Sequence, residues 1–193
     1  LALITLIGTL AIGILSVNRI LIMERGSESV LRASIEEDYD ENIKNQVDNA
    51  ISMLVAVYVG YEIGDYSYEE AETRGADLLR ELRYGNGGYF WADTYDGENV
   101  VLLGSATEGT KRMETKDADG YQMVKEIIRV GQESDGGYTD YVFPKEGETE
   151  SSPKRSYSRA FEPFGWVVGT GNYIDYIDET VEKETQAMRE NVK

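Results

Sequence analysis

The sequence predicts an α+β fold in which one long helix leads into a five-stranded antiparallel sheet flanked by further helices. Three observations predict it. Apolar residues recur three and four apart from Val30 to Tyr61, the period of one face of an α-helix. Five short β-type runs come later and are joined mainly by tight turns, which favours antiparallel pairing. A chain of 193 residues, 41% of them apolar, has material for one main core with appendages.

The elements follow in order. Leu1 to Val17 carries no charge, and apolar character resumes at Ile20 to Met23 around Asn18-Arg19. That is about the minimum span of a membrane helix, so residues 1–23 are read as a truncated transmembrane segment. A signal-peptide apolar region and a buried core helix compete with this reading; the length of the run and the lack of a small-residue cleavage pattern favour the anchor. Residues 24–66 form the long helix, with Leu31, Ile35, Tyr39, Ile43, Val47, Ile51, Leu54, Tyr58 and Tyr61 as its stripe. Thirty-odd helical residues span about 45–50 Å, more than one small sheet covers, so the stripe is expected to pair two copies side by side. Gly60 and Gly64 end the helix. Ser67, with Glu70 three residues on, reads as a capping box for a second helix, Tyr68 to Arg83.

Gly85-Asn86-Gly87-Gly88 then breaks the chain. Tyr89 to Ala92 and Val100 to Leu103 read as strands joined across Asp96-Gly97, a hairpin signal. After a loop from Gly104 to Ala118, Met123, Val124, Ile127, Ile128 and Val130 mark a short helix. Three more strands are expected at Tyr138 to Phe143, Ser156 to Phe161 and Trp166 to Tyr173. A polar loop from Pro144 to Pro153 and a tight Pro163-Phe164-Gly165 turn connect them. Residues 176–193 are read as a closing helix.

Composition removes several function classes. With 36 acidic residues against 19 basic, the net charge is −17, which repels phosphate backbones and argues against nucleic acid as a partner. The chain has no cysteine and no histidine. This excludes Ser-His-Asp and Cys-His nucleophilic sites, histidine bases and ordinary zinc sites. No catalytic residue, cofactor or metal is expected.

Within Tyr89-Phe90-Trp91, strand alternation places Tyr89, Trp91 and Asp93 on one face and Phe90 on the other. Tyr and Trp suit the wall of a small-ligand site, each giving apolar surface and one hydrogen-bonding group. Tyr141 shares a face with Phe143, and Tyr157 with Arg159 and Phe161. Thr115 to Glu126, TKDADGYQMVKE, imitates a calcium loop but has Thr at its first position and Gln at its eighth. Asp119 as a cap of the following helix accounts for it better. The glycines of GWVVGTG, Gly165 to Gly171, lie inside a β run and not before a helix, so they make no nucleotide loop; Gly169 and Gly171 are expected to let a helix or another backbone approach.

RELRYGNGGYFWADTYDG and SPKRSYSRAFEPFGWVVGTGNYIDYID resemble the two signature blocks of the single Cache family, over roughly Ser67 to Asp178. The resemblance implies a PAS-like sensor domain, residues 67–175, lying outside the cytoplasm between two membrane helices and binding a small molecule, mostly a carboxylate, beside its sheet. It implies a methyl-accepting chemotaxis receptor, with a histidine kinase or a cyclic-dinucleotide enzyme as the alternative. Lys154 matches a lysine common at its place in that family. Val101-Leu102-Leu103-Gly104-Ser105 departs from the VLMHP that relatives often carry, which removes a possible pocket donor. An anion entering so acidic a chain needs a local cation, and Lys154, Arg155 and Arg159 stand nearest a candidate wall, Arg155 on its solvated end. Tyr89, Trp91, Tyr141, Lys154, Tyr157 and Arg159 are the expected ligand contacts. A spacer that binds nothing and a carboxylate-based hydrolase are the competing functions.

Overall fold

The computed structural model describes residues 2–85, 87–145 and 147–191. Contacts divide the chain into two compact units, residues 1–38 with 176–193, and residues 39–175. Helix α1 runs Ala2–Glu62, α2 Tyr68–Glu81, α3 Met123–Gly131 and α4 Asp175–Asn191. The strands are β1 Arg83–Tyr84, β2 Gly88–Thr94, β3 Asn99–Leu102, β4 Gly137–Pro144, β5 Ser151–Phe161 and β6 Trp166–Tyr173. Among the described residues no helix is long and apolar enough to cross a membrane. The membrane segment expected at residues 1–23 falls on side chains outside the described residues.

In the first unit, Arg32 of α1 donates to Asp178 of α4 at 2.6 Å. Both side chains are solvent-exposed, so the pair contributes little stability.

The second unit holds the sheet. Its spatial order is β1-β2-β6-β5-β4, with β3 also paired to β2, and every pairing is antiparallel. The two-residue β1 is the strand that the sequence reading lacked; its first residue, Arg83, was read there as the end of the second helix. Ser67 caps α2 as expected: its hydroxyl accepts from Glu70 N–H while the Glu70 carboxylate accepts from Ser67 N–H. Gly60 lies inside the last turns of α1, where the Tyr66 ring occupies the place a Cβ would take.

Strand alternation gives the sheet two unlike faces. One carries Phe90, Ala92, Trp166, Val168 and Phe161, which pack with Ala50 and Leu54 of α1 and Ala71 and Leu79 of α2. Beside it Tyr39, Ile43 and Val47 of α1 pack on Tyr157. The stripe expected to pair two copies is therefore spent, from Tyr39 to Leu54, on the protein's own sheet, because apolar strand residues supply a nearer partner. The other face carries Trp91, Tyr141 and Val167, covered by Met123, Val124, Ile127 and Ile128 of α3.

Two further expectations change. The stretch from Pro144 to Pro153 is not all loop: β5 already starts at Ser151, and Val142 pairs with Pro153 and Phe143 with Ser152. The turn before α3 is held by Asp117, not Asp119. One Asp117 oxygen accepts from the N–H groups of Asp119 and Tyr121, and the other accepts from Val142 N–H.

Candidate functional site

On the face beneath α3, the register aligns Tyr141 of β4, Lys154 of β5 and Tyr173 of β6 in one row. Lys154 is thus an interior strand residue. It is 1% exposed. Its Nζ donates to Tyr89 Oη at 2.7 Å and lies within cation–π reach of four rings: Tyr89 at 4.4 Å, Tyr173 at 5.1 Å, Phe143 at 5.3 Å and Trp91 at 5.4 Å.

Glycines in β6 make room for this arrangement. A Cβ on Gly169 would stand 2.6 Å from both Ser158 Oγ and the Trp91 ring, and one on Gly171 would meet the Arg155 carbonyl at 2.5 Å. What approaches Gly169 is the indole of the neighbouring strand, where a helix or backbone had been expected. The Trp91 indole N–H, though buried, has no hydrogen-bond partner among the described residues.

Tyr89, Trp91, Leu102, Arg112, Met123, Val124, Ile127, Tyr141, Phe143 and Lys154 enclose a small cavity. Its free volume is about 20 Å³, room for about one water. Arg112, from the loop between β3 and α3, is the polar residue that the sequence reading missed. Its guanidinium grips Asp93 through two hydrogen bonds of 2.5 Å, while Asn99 Nδ2 adds a third to Asp93 at 3.1 Å. Asp93 is fully buried, so it cannot stand without such a partner. Its place on the Tyr89-Trp91 face was the one sequence signal that a cation must arrive from elsewhere.

Charges in the site follow from burial. Removal from water, followed by the repulsion of Arg112, holds Lys154 well below the usual lysine range, at about 7. Burial, followed by the nearby Tyr89, pushes the Tyr141 phenol far up, and burial pushes Tyr173 up to about 12 with help from Glu148 and Asp175.

The structure thus brings together four of the six expected contacts, Tyr89, Trp91, Tyr141 and Lys154. Tyr157 and Arg159 lie on the other face of the sheet. There Tyr157 donates to the Asp135 carbonyl, and Arg159 donates to Asp48 of α1 at 2.7 Å. Arg155, expected at a solvated end, is clamped between Asp40 and Asp140. After β3, Leu103 (φ 55°) and Gly104 (φ 70°) are both left-handed, and the Glu108 carboxylate accepts from the N–H groups of Leu102 and Gly104 at 2.7 and 2.8 Å. The turn where relatives often have His-Pro is thus built on backbone geometry, with Arg80 holding Glu108 in place at 3.0 Å.

A family model described as Single Cache domain 2 matches residues 35–187. The chain belongs to the single Cache domain 2 family. Among solved Cache and related sensor structures, a periplasmic sensor domain of a chemotaxis protein superposes with a TM-score of 0.68 at 28% identity, covering 73% of this chain and 98% of that one. A Cache chemosensory domain solved for its carboxylic acid recognition gives 0.70 at 26%, covering 74% and 98%. Among curated proteins, the methyl-accepting chemotaxis protein McpP of Pseudomonas putida is 30% identical over 137 residues, 70% of this chain and 25% of its own length. The sensor histidine kinase MctS of Rhizobium johnstonii is 30% identical over 155 residues, 80% of this chain and 33% of its own length. The chain therefore spans a quarter to a third of these relatives, and the part it shares with them is a Cache sensor domain.

Proposed function

We propose that this chain is the extracytoplasmic ligand-binding part of a membrane-anchored chemoreceptor, and that its ligand is a small monocarboxylate held in the cavity beneath α3. The observation that carries the reading is Lys154, a cation-capable side chain buried in an aromatic cage with no carboxylate of its own among the described residues. Arg112 is already neutralised by Asp93, so among the described residues Lys154 is the side chain of the site that can carry an uncompensated positive charge. It suits one negative charge. The likeness to a domain that recognises carboxylic acids supports the same class, and the shared length with McpP supports the receptor setting. The likeness to MctS favours a histidine kinase output as the second reading.

Room for about one water is too little for an acid of several heavy atoms, so binding must displace part of the wall. That displacement is a signal, because a ligand shifts a two-state balance by its different affinity for the two states. The backbone of β5 and β6 next to the cage is tied to α1, the helix that leads toward the proposed anchor at residues 1–23. A second copy completes the reading. Two chains of charge −17 repel unless they meet on uncharged surface. The exposed residues Asn42, Asn45, Asn49, Ser52, Ala56 and Val59 form such a stripe at the three-and-four spacing of paired helices.

Thermal unfolding of the 193-residue chain, repeated with acetate, propionate, pyruvate, lactate and succinate, tests the function. A rise in Tm with a monocarboxylate, confirmed by calorimetry, is expected. No shift with any of them would replace the sensor by a spacer.

A further inference from the structure

Lys154 is surrounded from every packed element by groups that tolerate its neutral form. From β2 it meets Tyr89 and Trp91, from β4 Tyr141 and Phe143, and from β6 Tyr173. The side chains that α3 presents to the cavity, Met123, Val124 and Ile127, are uncharged. The charged group nearest the cavity is Arg112, a cation already held by Asp93. Beyond the cage, Lys145 sits 5.4 Å from the Tyr173 ring and pairs with Asp175 at 2.5 Å, and Glu148 adds negative charge on that side. Among the described residues no carboxylate pairs with Lys154. Tyr89 Oη accepts from Nζ at 2.7 Å, and a phenol can equally donate to an uncharged amine, so this bond serves both protonation states.

We propose that the site takes up its carboxylate together with a proton, which settles on Nζ of Lys154, so that in neutral to alkaline medium the domain reports the undissociated acid and not its anion. The inference rests on the carboxylate reading above. The balance is simple: a carboxylate and a proton from solvent meet a neutral lysine and leave an ammonium–carboxylate pair, with no other bond made or broken. Four rings stabilise an ammonium only in part, whereas a carboxylate in the cage restores what was lost with water. The resting lysine titrating at about 7 fits this cycle. Below that pH the proton is already in place and binding takes up none. Above it, each pH unit lowers the apparent affinity for the anion by about tenfold, until the pH reaches the raised pKa of the bound state.

Calorimetry of the 193-residue chain with propionate and with acetate, in pairs of buffers of different ionisation enthalpy, counts the protons. We expect uptake near zero at pH 5.5 and near one per ligand at pH 8.5. Lys154→Met should bind more weakly and without that pH dependence. In the ligand-free chain, NMR of lysine labelled with carbon-13 at Cε should show one lysine, absent from Lys154→Met, titrating near neutrality. Propionate or acetate binding without proton uptake at pH 8.5, or a Lys154 signal that titrates above 9.5, overturns the proposal and leaves the carboxylate reading standing. No heat with either acid at either pH overturns both.

Discussion

Lys154 and Arg155 are neighbours in β5, yet they work on opposite faces of the sheet. The Lys154 ammonium position is caged by aromatic rings under α3, while the Arg155 guanidinium donates to both oxygens of Asp40 in α1, at 2.6 and 2.7 Å. Tyr39 reinforces the same join: its Oη lies 2.9 Å from the Arg155 and Asn172 carbonyls and accepts from Asn172 N–H at 2.5 Å. A change of the backbone at residue 154 is therefore felt at α1 within one residue. This is where binding would become displacement.

The clamp itself can be measured. Asp40→Ala and Arg155→Ala, singly and together, should show a coupling of about 0.5–1.5 kcal/mol in urea unfolding. The value is modest because both side chains are about a quarter exposed, and it should shrink in high salt. A coupling near zero would reduce the pair to surface decoration.

Lys154 opposes folding when it is charged. Its folded pKa of about 7 lies below the unfolded value of about 10.4. The unfolded chain therefore binds more protons between those limits, and this group's contribution to stability rises as pH increases from 7 toward 10.4. The slope is at most about 1.4 kcal/mol per pH unit. Lys154→Met should be more stable than the parent at pH 6, and the gap should close steadily toward pH 10. In binding, the same variant should lose roughly tenfold to a hundredfold for propionate at pH 6. A gap that does not change with pH would contradict the buried-lysine account.

Arg112 and Asp93 form a pair that is costly to halve. Removing the arginine alone leaves a fully buried carboxylate without its cation, so Arg112→Met should cost about 3–5 kcal/mol in urea unfolding. Adding Asp93→Asn should recover most of that loss, because the uncompensated charge disappears. If the double variant is as unstable as the single one, the arginine acts through packing.

Pairing of two copies is tested on the outer face of α1. Ser52→Cys, at the middle of the uncharged stripe and exposed, should give a disulfide-linked dimer on mild oxidation of the 193-residue chain in membranes, where the proposed anchor would raise the effective concentration. Thr73→Cys, exposed on α2, should not. Equal cross-linking at both positions would mean random collision.

What the sequence determined by itself were the features that depend on near neighbours. The Ser67–Glu70 cap, the strands on either side of Asp96-Gly97, the turn closed by Gly165 in a left-handed conformation and the alternation of Tyr89, Phe90 and Trp91 across the sheet all follow from local sterics and hydrogen bonding. So did the family resemblance, because its two blocks lie in β2 and in β5 with β6. Tertiary structure alone decided the rest. Lys154 read as the end of a strand, because Ser151, Ser152 and Pro153 look like loop until β4 pairs with them. Only the register with Tyr141 and Tyr173 turned it into the centre of a cage. Arg112 sits in an irregular loop and reaches Asp93 from nineteen residues away, a distance no periodicity encodes. The stripe of α1 was legible as apolar but not as to its partner, since the same spacing serves another helix or a sheet. The nearby apolar face of this protein's own strands claimed it, leaving the uncharged outer face for any second copy.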